Sequence, residues 1–284
     1  MNTSLINPKT ITVDGLTVRY AESEQRDTHA LLLSPWPESV YAFEPTWAEL
    51  AADVHVVAVD LPGFGRSQSR PDLFTPRAAG AFVLQILDAL ELDKVHIVGP
   101  DIGTSASLFA AARQPGRFHS IVIGGGAASA RLELGEPLAS WVSDPDISWY
   151  EQNARRVMQT TLDNIFPATP LGDHVREDYL ASYDGRRFAE SMRYVRSYPT
   201  ELKVLERLLP TVETPVRIIV PERDQVVPRA HAEFLADRLP TSALDVVDAR
   251  HFIWESDPKS YAFLVLDWWD RHRPDNNHAI NAER

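Results

Sequence analysis

The chain has 284 residues, 44% hydrophobic and 24% charged, which suits a sizeable core and not a disordered chain. Lys plus Arg number 28 against 40 for Asp plus Glu, a formal charge of −12, and this balance argues against a nucleic-acid-binding surface. Cysteine is absent, so disulfides, thiolate metal sites and a cysteine nucleophile are excluded.

The N-terminal part reads as β. Ile11 and Val13, then Leu16, Val18 and Tyr20, alternate on either side of Asp14-Gly15, a hairpin signal. Short apolar runs without alternation follow at 30–33, 54–59, 95–98, 121–123, 216–220 and 244–247. Runs of this kind predict strands buried on both faces of a parallel sheet. Helices are predicted between them. Thr75-Pro76 caps one, with Ala79, Val83, Ile86, Leu87 and Leu90 at helical spacing. An Ala-rich helix over 105–113 stops before Pro115-Gly116. Pro228 opens a helix that faces inward with Ala232, Leu235 and Leu239, and Pro258 opens the last, with Phe263, Leu266 and Trp269 on one side.

From 131 to 210 the β-branched runs vanish. Trp141, Trp149, Tyr150, Val157, Met158, Leu162, Ile165 and Phe166, and then the stretch 179–198, predict helices. The expected organisation is α/β: a mostly parallel sheet with helices on both faces, built from 1–130 and 211–272, and a helical cap over 131–210. Residues 273–284 are expected to be a disordered tail. No signal peptide and no membrane span are evident, so a cytoplasmic protein is expected. Nothing in the sequence bears on oligomeric state, and both monomer and homodimer stay open.

The sharpest local feature is Val95-His96-Ile97-Val98-Gly99-Pro100-Asp101-Ile102-Gly103. A buried strand ends, a polar residue stands between glycines, and a helix follows. This is the strand–turn–helix pattern of a nucleophile elbow, with Asp101 at the nucleophile position. The tight turn strains residue 101 and lifts its side chain above the sheet, while the helix N-terminus favours negative charge nearby. Asp224 follows the strand over 216–220, and His251 follows the strand over 244–247. Taken singly, Asp101 fits a helix cap, Asp224 a turn acid and His251 a surface loop residue. The order nucleophile, acid, histidine after successive strands favours a catalytic set.

These residues resemble the α/β-hydrolase fold family, and more narrowly its aspartate-nucleophile branch of epoxide hydrolases and haloalkane dehalogenases. The segment Asp60-Leu61-Pro62-Gly63-Phe64-Gly65-Arg66-Ser67 resembles the glycine-rich stretch after that fold's fourth strand. Ser34-Pro35-Trp36-Pro37-Glu38-Ser39 resembles the epoxide-hydrolase stretch His-Gly-x-Pro-Glu-Ser, with Ser34 in place of His and Pro35 in place of Gly. Pro100 likewise replaces the usual His before the nucleophile. The resemblance implies an oxyanion hole made by the backbone N–H groups of Trp36 and Ile102, neither of which is proline, and a cis Trp36-Pro37 bond. It implies that Asp101 attacks the substrate carbon and that His251, oriented by Asp224, activates the water that hydrolyses the ester. Such chemistry calls for no cofactor and no metal, and His29 with His55 lacks a ligand-like set of neighbours.

A carboxylate nucleophile suits attack on an sp³ carbon, because attack on an ester would give a labile anhydride. Epoxide opening also needs an acid, and the resemblance implies cap tyrosines. Tyr194, 30 residues before Asp224, matches the second of these, Tyr150 the first, with Tyr183 as a fallback. A haloalkane dehalogenase would place a tryptophan where Ile102 stands, leaving Trp36 or Trp149 as substitutes, and a fluoroacetate-type enzyme would need arginines near Ile102 and Ser105. Epoxide hydrolysis of a small apolar or aromatic substrate, with water as the second reactant, is therefore the first expectation. A dehalogenase or another small-molecule hydrolase is the alternative, and a catalytically silent relative binding a small ligand is a third.

Overall fold

The computed structural model describes residues 4–165 and 171–273. Eight strands form one sheet: β1 (Lys9–Val13), β2 (Leu16–Glu22), β3 (His29–Leu33), β4 (His55–Val59), β5 (Val95–Pro100), β6 (Phe118–Gly124), β7 (Val216–Pro221) and β8 (Ser242–Val247), in the order β1-β2-β4-β3-β5-β6-β7-β8. Asp14 and Gly15 both take positive φ, 47° and 78°, the conformation of a type I′ hairpin turn. β2 then runs antiparallel to β4, and every pair from β4 to β8 is parallel. All residues of β4, β5 and β7 are buried, which is why their sequences show no alternation.

Each strand-to-strand crossover carries apolar helices onto one of two faces. On one face lie α1 (Glu44–Leu50) and, from the C-terminus, the short helix over Ile253–Ser256 and the last helix over Pro258–Arg271. On the other lie α2 (Pro76–Ala89) and α3 (Ile102–Arg113). Thr75 caps α2 by accepting the Ala78 N–H, and Pro76 stands at its first position. The last helix departs from its expected face. It buries Tyr261, Ala262, Val265, Trp268 and Trp269, whereas Phe263 is 68% exposed. The spacing 261, 265, 268, 269 is the stripe that meets the sheet, and Phe263 falls on the opposite side.

Between β6 and β7 the chain leaves the sheet for five helices among the described residues: α4 (Leu138–Ser143), α5 (Ser148–Ile165), α6 (Asp173–Ser182), α7 (Arg187–Arg196) and α8 (Tyr198–Leu208). This is the expected helical cap. Trp141, Met158, Leu162, Tyr179, Phe188, Met192 and Tyr194 are buried in one apolar cluster with α2 and α3. Trp149, weighed from sequence as a substitute halide donor, is 51% exposed. Phe166 and the expected tail beyond Arg273 lie outside the described residues. After β7 come α9 (Ala230–Ala236), which starts two residues past Pro228, then α10 (Ile253–Ser256) and α11 (Pro258–Arg271). None of the described helices is long and apolar enough to cross a membrane.

At the opposite edge of the sheet from the strand ends, His96 is fully buried, stacked on Trp269 and bonded through Nδ1 to Ser120 Oγ at 2.8 Å. Burial first, then the neighbouring His119, His272, Arg273 and Lys94, lower its pKa to about 3. The unfolded chain binds this proton near pH 6.5 while the native chain refuses it, so stability falls as pH drops below that value, by about 2 kcal/mol at pH 5. His96→Leu is therefore expected to lose about 2 kcal/mol less than the wild type between pH 7 and pH 5 in urea unfolding. Equal losses would mean that the native imidazole takes up the proton after all.

Candidate active site

The site forms where the carboxyl ends of β3, β5, β7 and β8 meet the cap. β5 turns directly into α3 at Asp101, whose φ of 51° and ψ of −120° are strained for a residue with a Cβ. The backbones cross closely here. A Cβ on Gly99 would stand 2.2 Å from Ser107 Oγ and 2.5 Å from the Gly103 carbonyl, so a side chain at 99 would push α3 away from the strand. Pro100 costs the sheet nothing at this point, because the Asp101 N–H makes the bond to the Gly124 carbonyl, at 2.8 Å.

The Asp101 carboxylate is buried, with the two oxygens in different surroundings. Oδ2 accepts the Trp36 backbone N–H at 2.7 Å, and the Ile102 N–H also bonds the carboxylate. The two N–H groups named from sequence thus converge on one carboxylate, and Trp36-Pro37 is cis. Oδ1 faces His251 Nε2 at 3.8 Å, too long for a direct hydrogen bond and open to a water touching both. Nδ1 of His251 is 2.8 Å from Asp224 Oδ2. The other Asp224 oxygen accepts the N–H groups of Val226 and Val227 at 2.8 and 2.9 Å, so the acid is fixed by its own loop.

Burial pushes the Asp101 pKa up to about 6, against the pull of His251 and the two N–H groups. Burial acts to lower the His251 pKa, but the charge and hydrogen bond of Asp224 and the charge of Asp101 outweigh it, and the value rises. A carboxyl raised toward neutrality facing an imidazole whose proton affinity is also raised, both in a cleft, marks a site fitted to acid–base work.

A small cavity of about 20 Å³ lies before Asp101 and His251, walled by Trp36, Pro137, Trp141 and Val226 among others. It has room for one water. It shares Pro137, Trp141, Thr161 and Val226 with an adjoining chamber of about 630 Å³ that Trp149, Tyr150 and Val157 also line. A chamber of that size with an aromatic wall suits a small organic molecule.

The cap residues are placed differently from the triad. Tyr194 is fully buried, its hydroxyl donating to the Ile102 carbonyl at 2.8 Å and lying 3.3 Å from Ser105 Oγ. It is close enough to feel the Asp101 charge, but its proton points at the backbone. Tyr150 lines the outer chamber and bonds to Asp144; it does not wall the cavity before Asp101. Tyr183 is taken up by the Glu38 carbonyl and the Gly65 N–H. The Trp36 indole, weighed as a halide donor, donates to Ser191 Oγ at 2.9 Å. Ser34, where the family pattern has His, bonds the Val59 carbonyl and Asp60 Oδ1, both at 2.8 Å, and so holds the Trp36 loop from behind.

A parallel sheet with a strained elbow, an acid and a histidine at its strand ends, and a helical cap over them, defines a class of protein: the cap-bearing α/β hydrolases. The family model for the alpha/beta hydrolase fold matches residues 30–258, and the chain belongs to that family. The human serine hydrolase BPHL is 28% identical, over 86% of this chain and 79% of its own. Among solved structures, a proposed epoxide hydrolase from Pseudomonas aeruginosa superposes with a TM-score of 0.85 at 16% identity, covering 96% of this chain and 99% of the other. The haloalkane dehalogenase DbeA from Bradyrhizobium elkani superposes with a TM-score of 0.81 at 20% identity, covering 93% of this chain and 97% of the other. At such identities the structural likeness establishes the fold alone.

Proposed function

We propose that the protein is a hydrolase that opens a small apolar or aromatic epoxide through a covalent ester on Asp101. The observation that carries this reading is the state of the carboxylate: Oδ2 held by the Trp36 N–H, Oδ1 facing His251, and His251 backed by Asp224. Where a serine hydrolase needs a hydroxyl, this chain presents a carboxylate. A carboxylate acts best at an sp³ carbon, since an anhydride would follow from an ester.

Oδ1 attacks the epoxide carbon, the C–O bond breaks, and the alkoxide takes a proton from an acid. Tyr194, whose hydroxyl stands at the Ile102 carbonyl beside the elbow, is the candidate; like Tyr150 it does not wall the cavity before Asp101 as it stands, and its hydroxyl must swing from that carbonyl to act. Water then gives a proton to His251 Nε2 and adds to the Asp101 carbonyl carbon. The charge that develops falls on Oδ2, which already accepts the Trp36 N–H, with the Ile102 N–H on the same carboxyl group. Collapse expels the diol oxygen, which takes the proton back from His251, and the proton left on the Asp101 carboxyl returns to the tyrosinate, so that carboxylate, imidazole and phenol are restored with one water consumed. Displacement of a halide would use the same carboxylate, but the Trp36 indole that would cradle the halide is engaged by Ser191.

The test is turnover of styrene oxide, 1-bromobutane and a phenyl ester by the wild type and by Tyr194→Phe. Diol formation from styrene oxide, lowered about a hundredfold by the substitution, is the expected result. Turnover of the bromide alone would move the assignment to a dehalogenase, and turnover of the ester alone would overturn the carboxylate route. Unchanged epoxide opening by Tyr194→Phe would remove that residue from the acid role.

A further inference from the structure

Two buried carboxyls that the reaction does not use lie between the loops that make the site. Glu38 stands two residues after Trp36, and Glu255 four residues after His251. They are 0% and 4% exposed. Glu38 accepts the Trp254 indole N–H at 2.9 Å, and Glu255 accepts the Tyr179 hydroxyl of α6 at 2.6 Å. The remaining oxygen of each, Glu38 Oε1 and Glu255 Oε2, has no donor among the described residues. The two buried carboxyls feel one another's charge, and with no described donor on either free oxygen two bare carboxylates would stand together buried and unsatisfied. One of them must carry a proton.

We infer that Glu38 and Glu255 share one proton and act as a positioning pair, a clip that holds the Trp36 loop against the His251 loop and both against the cap through Tyr179. The inference rests on the hydrolytic reading for its consequence in turnover, but not for the shared proton itself. The geometry gives the clip its leverage. Glu38 sits on the chain that carries the Trp36 N–H. Glu255 sits on the short α10, whose Trp254 ring lies 6.3 Å from the His251 ring. The charged and titratable groups around the pair are the Asp101 carboxylate from the elbow, Glu44 from α1, Tyr179 of α6 with Asp178 beside it, and Tyr183 on the Glu38 carbonyl. His251 is the nearby imidazole, and it is engaged by Asp224. Burial, first of all, raises both carboxyls above the ordinary carboxylate range, Glu255 to about 8.

The shared proton is read without substrate. In the native state the pair keeps a proton that the unfolded chain has released above the ordinary carboxylate range. Stability therefore falls as pH rises from that range to about 8, the Glu255 value, and then levels. Glu38→Gln and Glu255→Gln each supply the shared hydrogen permanently. Between pH 5 and pH 8 the wild-type unfolding constant is expected to rise at least about tenfold more than that of either variant. Parallel curves in all three proteins would overturn the shared proton. The clip is read by comparing Glu255→Leu with Glu255→Gln on styrene oxide. Leucine is expected to lower kcat about tenfold with KM within about threefold, and glutamine to restore most of it. A folded Glu255→Leu protein with wild-type kcat would overturn the positioning role. If the wild type does not turn over any epoxide, the hydrolytic reading fails by itself, and NMR titration of His251 decides the clip. Leucine must then move that titration, and an unmoved one overturns the inference.

Discussion

His251→Gln, incubated with an epoxide substrate, is expected to accumulate protein heavier by the whole mass of that epoxide, with the adduct on Asp101. The imidazole has no part in the first step, because Oδ1 is already a carboxylate above about pH 6 and needs no base. The second step does need one. A water beside Oδ1 is a poor nucleophile until Nε2 takes its proton, and glutamine cannot take it. Steady-state turnover should fall by about a thousandfold, while the burst of adduct in intact-mass spectra survives. The identity of the adduct separates the chemistries: an epoxide keeps its oxygen, whereas a haloalkane leaves an alkyl group without its halogen. Glutamine is chosen because its amide can still meet Asp224 Oδ2, as Nδ1 does now at 2.8 Å, so the loop is held. Full loss of turnover with no adduct from a substrate the wild type hydrolyses would show that His251 acts before or during attack, and the two-step account would fall.

The meeting of Asp101, Asp224 and His251 was legible because each of them is fixed by local chain chemistry. A buried β-branched run predicts where a strand ends, and a polar residue just beyond that end stands on the carboxyl edge of a parallel sheet. Asp101, Asp224 and His251 all obey this, and His251 lies between the other two, 3.8 Å from Asp101 and 2.8 Å from Asp224. The hairpin turn at Asp14-Gly15 was legible for the same reason. What resisted reading depends on how distant helices pack. Tyr150 and Tyr194 both fit a cap acid by spacing, but spacing does not say that one phenol turns to Asp144 and the other to the Ile102 carbonyl. Phe263 and Leu266 shared a plausible stripe until the sheet selected the stripe of Tyr261 and Val265. Glu38 and Asp60 were visible only as parts of motifs. Their partners are far away in sequence, Glu255 for the first and Arg19 and Ser34 for the second, and no local pattern announces such pairs.

Arg19→Met is expected to lower the stability of the whole protein by about 3 kcal/mol, near the low end of what breaking a buried ion pair costs. Arg19 on β2 is 6% exposed and joins the two parts of the molecule. Its Nε donates to Asp60 Oδ2 at 2.5 Å in the core, and its two terminal nitrogens grip Asp178 of α6 at 2.8 and 3.0 Å. Burial acts to raise the Asp178 pKa, yet the hydrogen bonds and charge of Arg19, with Ser39 and Arg66, hold it below the usual carboxylate range. Methionine fills the space of the stem and removes the charge, leaving two buried carboxylates facing one another. The loss stays near 3 kcal/mol because donors remain. Asp60 keeps Ser34 Oγ and the N–H groups of Val40 and Arg66, and Asp178 keeps Ser39 Oγ and Arg66 Nε. For a chain of this size the melting temperature should drop by about 6–12 °C. Arg19→Met combined with Asp60→Asn and Asp178→Asn should recover more than half of the drop, because the charge left alone, and not the lost packing, is the cause. Activity should suffer beyond the stability loss, since Asp60 also anchors Ser34 and Val40 on either side of Trp36. A melting temperature within about 2 °C of wild type, or a triple variant no more stable than the single one, would show that Arg19 does not carry the joint between cap and core.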